Sequence, residues 1–170
     1  MRYVYGPVPS WRLGCSLGID PLGGSVKRCT FDCRYCQLGP TPPDPVRPEA
    51  WVSPADLEEE LRTTRGLVID TVTFAGMGEP TLAFNLEALL RVPRRVIGAP
   101  VAVLTNGSLL LQPAVRATLG LAERVVVKLD AATEEASRPS TGRVSPARSP
   151  RLSKAFACSA PSIAAGLPCK

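Results

Sequence analysis

The residues best suited to chemistry are three cysteines within eight positions, Cys29, Cys33 and Cys36, which follow the spacing C-x3-C-x2-C. Thiolates on so short a loop reach three corners of one small inorganic cluster. Iron–sulfur clusters are normally held by four cysteines, so a set of three leaves one iron open to a small molecule that chelates through an amine and a carboxylate. The spacing therefore predicts an iron–sulfur cluster with one open coordination position.

Zinc is the main alternative occupant of these thiols. Structural zinc usually takes four Cys or His ligands, and the chain contains no histidine. Cys15 would then be the fourth ligand of a non-catalytic zinc-binding module. The N-terminus (residues 1–7) lacks the apolar core of a signal peptide, which predicts a cytoplasmic protein whose cysteines bind metal or take part in redox chemistry rather than forming a disulfide framework.

Alternating strand-like and helix-like segments must position the cysteine loop. Short β-branched and apolar runs predict four strands, at residues 13–19, 69–75, 100–105 and 124–129. Capping residues and leucine periodicity predict three helices, at residues 53–61, 86–90 and 113–119. Such apolar strands suit a parallel sheet covered on both faces. The order predicts an α/β fold, a partial (βα) barrel with about four βα units.

Glycines and polar residues stand where the predicted strands end. The segment Gly76–Pro80 reads G-M-G-E-P, and the next two strands end in Thr105–Gly107 and Lys128–Asp130. Sites in α/β folds lie at the C-terminal ends of parallel strands. Glycine lets backbone approach a ligand closely, and Glu79 can accept a hydrogen bond from an ammonium group. A purely structural role is the alternative to ligand binding for these residues. Asn106-Gly107 would then form a turn, and Lys128 with Asp130 an ion pair at the strand end.

The cysteine motif has an aromatic residue, Tyr35, directly before its last cysteine. C-x3-C-x-aromatic-C resembles the signature of the radical S-adenosylmethionine (SAM) superfamily, and G-M-G-E-P resembles its G-x-G-E-P motif. The opening segments 5–10 and 13–20 are similar to those of a bacterial and archaeal subfamily labelled wyosine-synthetase-like or radical SAM Fe–S oxidoreductase. That subfamily usually reads G-P-V-P-S-R-R-L-G, from which Trp11 departs and with which Arg12 agrees.

The resemblance implies an Fe–S oxidoreductase with two cofactors, a [4Fe–4S] cluster on the three cysteines and SAM chelated to the fourth iron. It also implies an external one-electron donor of the flavodoxin or ferredoxin type that would reduce the cluster. SAM would then be cleaved to methionine and a 5′-deoxyadenosyl radical, which would abstract hydrogen from a substrate that the sequence does not identify. No catalytic residue is assigned beyond the cluster ligands. A tRNA substrate rests on the family label alone, and no membrane partner is expected.

The resemblance also implies where SAM is held. Tyr35 is expected near the adenine, the G-M-G-E-P segment at the methionyl amino group, and Lys128 with Asp130 at the carboxylate or ribose. The implied SAM-binding residues are Tyr35, Gly76, Gly78, Glu79, Thr105, Asn106, Lys128 and Asp130.

The chain changes character near residue 137. Residues 1–137 hold 14 Lys/Arg and 15 Asp/Glu, whereas residues 138–170 hold 6 Lys/Arg and no acid. We therefore expect a radical SAM core over residues 1–136 and a disordered or frame-shifted Ser/Pro/Arg-rich tail over 137–170. Because the family barrel usually has six βα units, our hypothesis is a frameshift near residues 135–138. A third functional interpretation follows, an inactive fragment of a radical SAM protein.

Overall fold

One five-stranded sheet organises residues 1–43 and 46–129, the part of the chain that this computed structural model describes. The strands lie across the sheet in chain order: β1 Val4–Ser10, β2 Gly14–Ile19, β3 Thr71–Phe74, β4 Val101–Thr105 and β5 Arg124–Val127. The helices between them are α1 Pro54–Arg62, α2 Leu86–Val96 and α3 Pro113–Leu119, with a 3-10 turn at Pro80–Leu82. The predicted α/β fold, a partial (βα) arrangement, is confirmed.

Strands β2 to β5 run parallel to one another, as their alternation with helices predicts. Strand β1 was not predicted, and it pairs antiparallel with β2 from Val4 opposite Ile19 to Ser10 opposite Gly14. The sequence pattern does not predict this strand, because Pro7 and Pro9 have no N–H to donate to a neighbouring strand. Proline is tolerated in an edge strand, which is where β1 lies.

Helices α1 and α2 cover one face of the sheet. Ser53 caps α1 by accepting from the Asp56 backbone N–H at 3.0 Å, and Pro54 occupies the first turn, as predicted. The leucines of both helices join strand residues in one buried core. Its main members are Leu17, Ile19, Leu57, Leu61, Val72, Phe74, Leu86, Leu89, Leu90, Val101 and Val103.

Strand β5 differs from the prediction of a sheet covered on both faces. Val125 and Val127 are 38% and 40% exposed, whereas Val103, which pairs with Val125, is fully buried. Strand β5 is the outer strand of the described sheet, and α3 buries Leu119 as its one fully covered side chain. The helices that bury β3 and β4 therefore do not extend over β5.

The expected tail over residues 137–170 and the proposed frameshift lie outside the described residues. Within residues 1–43 and 46–129, none of the helices is both long and apolar enough to pass through a bilayer.

Candidate functional site

The cysteine loop leaves the C-terminal end of β2 and carries three free thiols. Cys29, Cys33 and Cys36 are each partly exposed. The Phe31 backbone N–H lies 3.5 Å from Cys29 Sγ, and the Cys36 N–H donates to the Cys33 carbonyl at 3.0 Å, which closes a turn between the last two cysteines. The loop thus presents all three sulfurs near the surface on a folded backbone.

A buried lysine fixes the shape of this loop. Lys27 is 5% exposed, and its Nζ donates to the Gly39 carbonyl at 2.6 Å and to Asp32 Oδ1 at 3.3 Å. Asp32 also accepts from the Thr41 N–H at 2.7 Å, and this bond together with Lys27 holds the pKa of the Asp32 carboxyl below its ordinary value. The sequence analysis missed Lys27 and Asp32, because nothing in their spacing shows that the loop folds back on them.

Gly78 joins the cysteine loop to the sheet by a backbone contact. Arg28, the residue before Cys29, donates its N–H to the Met77 carbonyl at 2.7 Å and accepts from the Glu79 N–H at 2.9 Å. A Cβ at Gly78 would lie 1.6 Å from the Arg28 carbonyl oxygen. The backbone after β3 can therefore come this close to the cysteine loop only because residue 78 is a glycine, whether or not a ligand also lies nearby.

Gly76 has a similar role beside Asp20. A Cβ at Gly76 would lie 2.6 Å from the Asp20 carboxylate, and the backbone φ of Gly76 is 137°. Asp20 is 7% exposed and accepts backbone hydrogen bonds from Leu22, Gly24 and Met77. Asp20 thus ties the segment after β2 to the segment after β3, a role that the sequence analysis did not assign.

Glu79 is buried, with 1% of its surface exposed. Its Oε1 accepts from Thr81 N at 3.1 Å, from Thr81 Oγ1 at 2.6 Å and from Thr105 Oγ1 at 2.6 Å, while Oε2 accepts from Asn106 N at 2.7 Å. The carboxylate therefore connects the end of β3 to the end of β4. Contact with the SAM ammonium stays a prediction for this residue.

Asn106 carries the connection on to the cysteine loop. Its Nδ2 lies 2.9 Å from Thr30 Oγ1 and 3.5 Å from Cys29 Sγ, and its Oδ1 accepts from Ser108 N at 2.9 Å. Gly107 has a φ of 77°, so the turn expected of Asn-Gly is present. The same turn places the Asn106 amide against a predicted cluster ligand.

Lys128 approaches the loop from the end of β5. Its Nζ lies 2.9 Å from Cys33 Sγ, 4.9 Å from the centre of the Tyr35 ring and 5.8 Å from that of Phe31. Tyr35 itself is 60% exposed. Asp130 lies outside the described residues. The other predicted residues that follow β3, β4 and β5 therefore lie next to the cysteine loop in the structure.

Electrostatic effects on Cys29 oppose one another. Burial raises the pKa of the Cys29 thiol above its ordinary value, and the Glu79 charge adds to that rise. The Phe31 N–H, the Lys27 charge and the Asn106 amide act in the opposite direction. An iron bound at Cys29 would stabilise the thiolate far more strongly than any of these neighbouring groups.

Cys15 is separated from this group by the length of a strand. It is 2% exposed near the start of β2, and the cysteine loop follows the other end of that strand. A strand rises about 3.3 Å per residue, so Cys15 and Ile19 are about 13 Å apart. The expectation that Cys15 completes a four-cysteine zinc site is therefore wrong.

The donor set can be compared with the two kinds of metal site. Within residues 1–43 and 46–129, no three His, Cys, Asp or Glu side chains converge on a point where one metal ion could bind. A zinc ion requires such convergence, whereas each thiolate of a cluster binds a different iron. Three separate thiols with N–H donors beside two of them fit a polynuclear cluster.

The face of the sheet opposite the helices holds a small cavity of about 190 Å³. Small side chains make room for it, and Ser16 Oγ and Thr73 Oγ1 share a hydrogen bond of 2.6 Å there. Burial, and to a lesser extent the Asp20 charge, raises the pKa of the Tyr5 hydroxyl at its edge. The lining residues are Tyr5, Val8, Ser10, Leu13, Ser16, Gly18, Thr73, Ala75 and Leu104.

Comparison with known proteins identifies the family. The profile described as Radical SAM superfamily matches residues 25–154, which include the cysteine loop and the ends of β3, β4 and β5. The chain belongs to the radical SAM superfamily. That membership generally implies a [4Fe–4S] cluster and SAM, which agrees with the donor set of the loop.

Curated relatives include UPF0026 proteins and a protein named GTPase Obg. A UPF0026 protein of Synechocystis is 44% identical over 127 residues, covering 75% of this chain and 48% of the relative. A UPF0026 protein of Methanocaldococcus jannaschii is 37% identical over 139 residues, 79% of this chain and 42% of the relative. A Brachyspira hyodysenteriae protein named GTPase Obg is 40% identical over 132 residues, 76% of this chain and 19% of the relative.

The chain spans about half the length of these two UPF0026 relatives. No solved structure matches the chain.

Proposed function

We propose that the chain is the cofactor-binding part of a radical SAM oxidoreductase, in which Cys29, Cys33 and Cys36 hold a [4Fe–4S] cluster and SAM binds the open iron. The observation that carries the proposal is the convergence of strand-end groups on the cysteine loop. Donors from β4 and β5 lie beside two of the sulfurs, and the backbone after β3 is hydrogen-bonded to the residue before Cys29.

The cluster and SAM supply reductive cleavage of the SAM C–S bond and a 5′-deoxyadenosyl radical for hydrogen abstraction. The protein supplies binding and orientation. Tyr35 is 60% exposed and is the proposed stacking partner of the adenine, and Lys128 Nζ lies over its ring, 4.9 Å from the centre. Glu79 acts by holding Thr105 and Asn106 in place, because its buried carboxylate already accepts from both residues.

The partner in this proposal is an external one-electron donor of the flavodoxin or ferredoxin type. The cysteine loop exposes the cationic Arg34 next to Cys33, which favours a donor whose contact surface is acidic. The substrate is unidentified. Assignment to the wyosine-synthetase-like subfamily rests on the opening segments 5–10 and 13–20, and tRNA modification rests on that subfamily's label.

Anaerobic reconstitution of the full chain with iron and sulfide tests the cluster. We expect about four irons and four sulfides per chain and a brown chromophore. Cys33→Ser should lose most of that iron, whereas Cys15→Ala, which changes the cysteine at the far end of β2, should retain it. Equal iron in both variants would contradict the assignment of the loop. Zinc without a visible chromophore would contradict the proposed cluster.

Cleavage of SAM is tested on the reconstituted protein. Dithionite and SAM are added, and 5′-deoxyadenosine is measured by chromatography. Release of 5′-deoxyadenosine supports an active radical SAM enzyme. A full cluster without this product supports the third interpretation, an inactive fragment, which is relevant because the chain spans about half of its UPF0026 relatives.

A further inference from the structure

Two side chains of the site point at sulfur. Asn106 Nδ2 lies 3.5 Å from Cys29 Sγ, and Lys128 Nζ lies 2.9 Å from Cys33 Sγ. We propose that Asn106 and Lys128 set the reduction potential of the cluster by donating N–H hydrogen bonds to two of its thiolate ligands. The inference rests on the proposed function, because it requires a cluster on these cysteines, and it gives the two residues a role separate from SAM binding.

The orientation of the Asn106 amide is fixed by its other bonds. Its Oδ1 accepts from the Ser108 backbone N–H at 2.9 Å, so the Nδ2 group has to point to the opposite side, toward Thr30 and Cys29. Its backbone N–H is held at 2.7 Å by Glu79, whose carboxylate is buried. Neither the amide plane nor the strand end can turn away without breaking one of these bonds.

The Lys128 ammonium is held by different means. The Lys128 backbone N–H donates to the Thr105 carbonyl at 2.9 Å, which extends the β4–β5 ladder by one residue. Its Nζ lies near the ring faces of Tyr35 and Phe31, at 4.9 Å and 5.8 Å from their centres. Aromatic faces attract a cation. Since both rings belong to the cysteine loop, these contacts hold the Lys128 ammonium beside that loop.

The direction of the effect follows from charge. Reduction adds one electron to the cluster, and part of the added negative charge resides on the sulfur ligands. Hydrogen-bond donors and a positive charge beside those sulfurs stabilise the reduced state more than the oxidised state. Removing either donor should therefore move the reduction potential to a more negative value and make electron delivery from the external donor harder.

The experiment is a potentiometric titration of the reconstituted full chain, followed by electron paramagnetic resonance of the reduced cluster. Lys128→Met removes the charge at nearly constant length, and Lys128→Arg restores it. Asn106→Leu removes the donor to Cys29 at nearly constant side-chain size and adds no charge. Arg91→Gln makes the same change in net charge as Lys128→Met, on an exposed side chain of α2 that pairs with Glu87.

We expect Lys128→Met to lower the equilibrium constant for reduction about tenfold, which is about 59 mV for one electron. Asn106→Leu should shift the potential in the same direction, while Lys128→Arg and Arg91→Gln should stay near the wild type. Equal iron content with potentials that all coincide would overturn this inference and leave the proposed cluster intact. A shift in Arg91→Gln as large as that in Lys128→Met would also overturn it.

Iron content separates the remaining outcomes. If the wild-type chain takes up no cluster, the proposed function itself fails. If only one of the two donor variants takes up no cluster, the potential of the other decides the inference. If the wild type loads and neither donor variant does, the two residues are needed to fold the loop, and a role in setting the potential is rejected.

Discussion

The ends of β3 and β4 and the strand β5 contribute neighbouring parts of one site, but they are held in different ways. Glu79 and Thr105 are 1% and 4% exposed and bond to each other, whereas Val125 and Val127 on β5 are 38% and 40% exposed. Groups from the first region are fixed by buried hydrogen bonds. Lys128, from the second, depends on an outer strand that the helix layer leaves partly uncovered. The two groups that donate to cysteine sulfurs, the Asn106 amide and the Lys128 ammonium, therefore differ in how firmly they are held.

The largest effect is expected where the cysteine loop meets the sheet. Gly78→Ala should lower the free energy of unfolding by about 3–4 kcal/mol, since the backbone conformation costs about 1–2 kcal/mol and the overlap with the Arg28 carbonyl adds about 2 kcal/mol. Gly98 also has a positive φ, but nothing lies within 4 Å of a Cβ added there. Gly98→Ala should therefore show only the backbone cost of about 1–2 kcal/mol. Urea unfolding of both variants measures the difference. Equal losses would mean that the Cβ added at Gly78 does not overlap the Arg28 carbonyl in solution.

Glu79→Gln tests the buried bonds between β3 and β4. We expect a loss of about 3 kcal/mol in unfolding free energy, because hydrogen bonds to a charged acceptor are strong and the new amide N–H₂ would face donors. Glu87→Gln is the control, since Glu87 is 60% exposed and paired with Arg91 on the surface of α2. That change should cost about 0.5 kcal/mol or less. A similar midpoint in urea for both variants would show that Glu79 does not stabilise this region.

A pair of valines compares the two regions directly. Val103 on β4 and Val125 on β5 are opposite each other in the ladder, one buried and the other 38% exposed. Val103→Ala should cost about 2 kcal/mol and Val125→Ala about 0.5 kcal/mol, because the buried site loses transfer energy and leaves a cavity. Thermal unfolding of the two variants gives the ratio. If Val125→Ala costs as much as Val103→Ala, β5 is covered in solution.

The smallest effect is expected on the outer surface, where Glu58 pairs with Arg62 and Arg95. Hydrogen bonds from these two arginines lower the pKa of Glu58 below its ordinary value. A lowered pKa contributes stability above the unfolded pKa and loses it as the pH falls through the folded pKa. Glu58→Gln should therefore melt slightly below the wild type at neutral pH, and the difference should vanish in acid once the pH is below both the folded and the unfolded pKa of Glu58.

The adjacent Glu59→Gln serves as the control for that titration. Glu59 is exposed on the same helix, so its replacement should change the melting temperature less between the two pH values. Calorimetry of the three proteins at both pH values checks the sign. A difference between Glu58→Gln and wild type that grows toward acid pH would contradict the assignment.

Much of the site was readable from the sequence because its residues stand at strand ends. The order of strands and helices placed the segment Gly76–Pro80, Asn106 and Lys128 at one edge of a parallel sheet, and the structure brings them around the cysteine loop. Strand β1 escaped the prediction because proline obscures its pattern. Lys27, Asp20 and the junction at Arg28 escaped because their partners are backbone groups of distant segments.

The sequence by itself determined the chemistry of the site, since the C-x3-C-x2-C spacing, the absence of histidine and the G-M-G-E-P segment specify which donors are available. Tertiary structure alone decided what those donors face. It buried Glu79 between two strands, turned the Asn106 amide toward Cys29 and placed Cys15 at the far end of β2. The physical reason is that residue type fixes what a side chain can bind, whereas its partner depends on which distant backbone packs beside it.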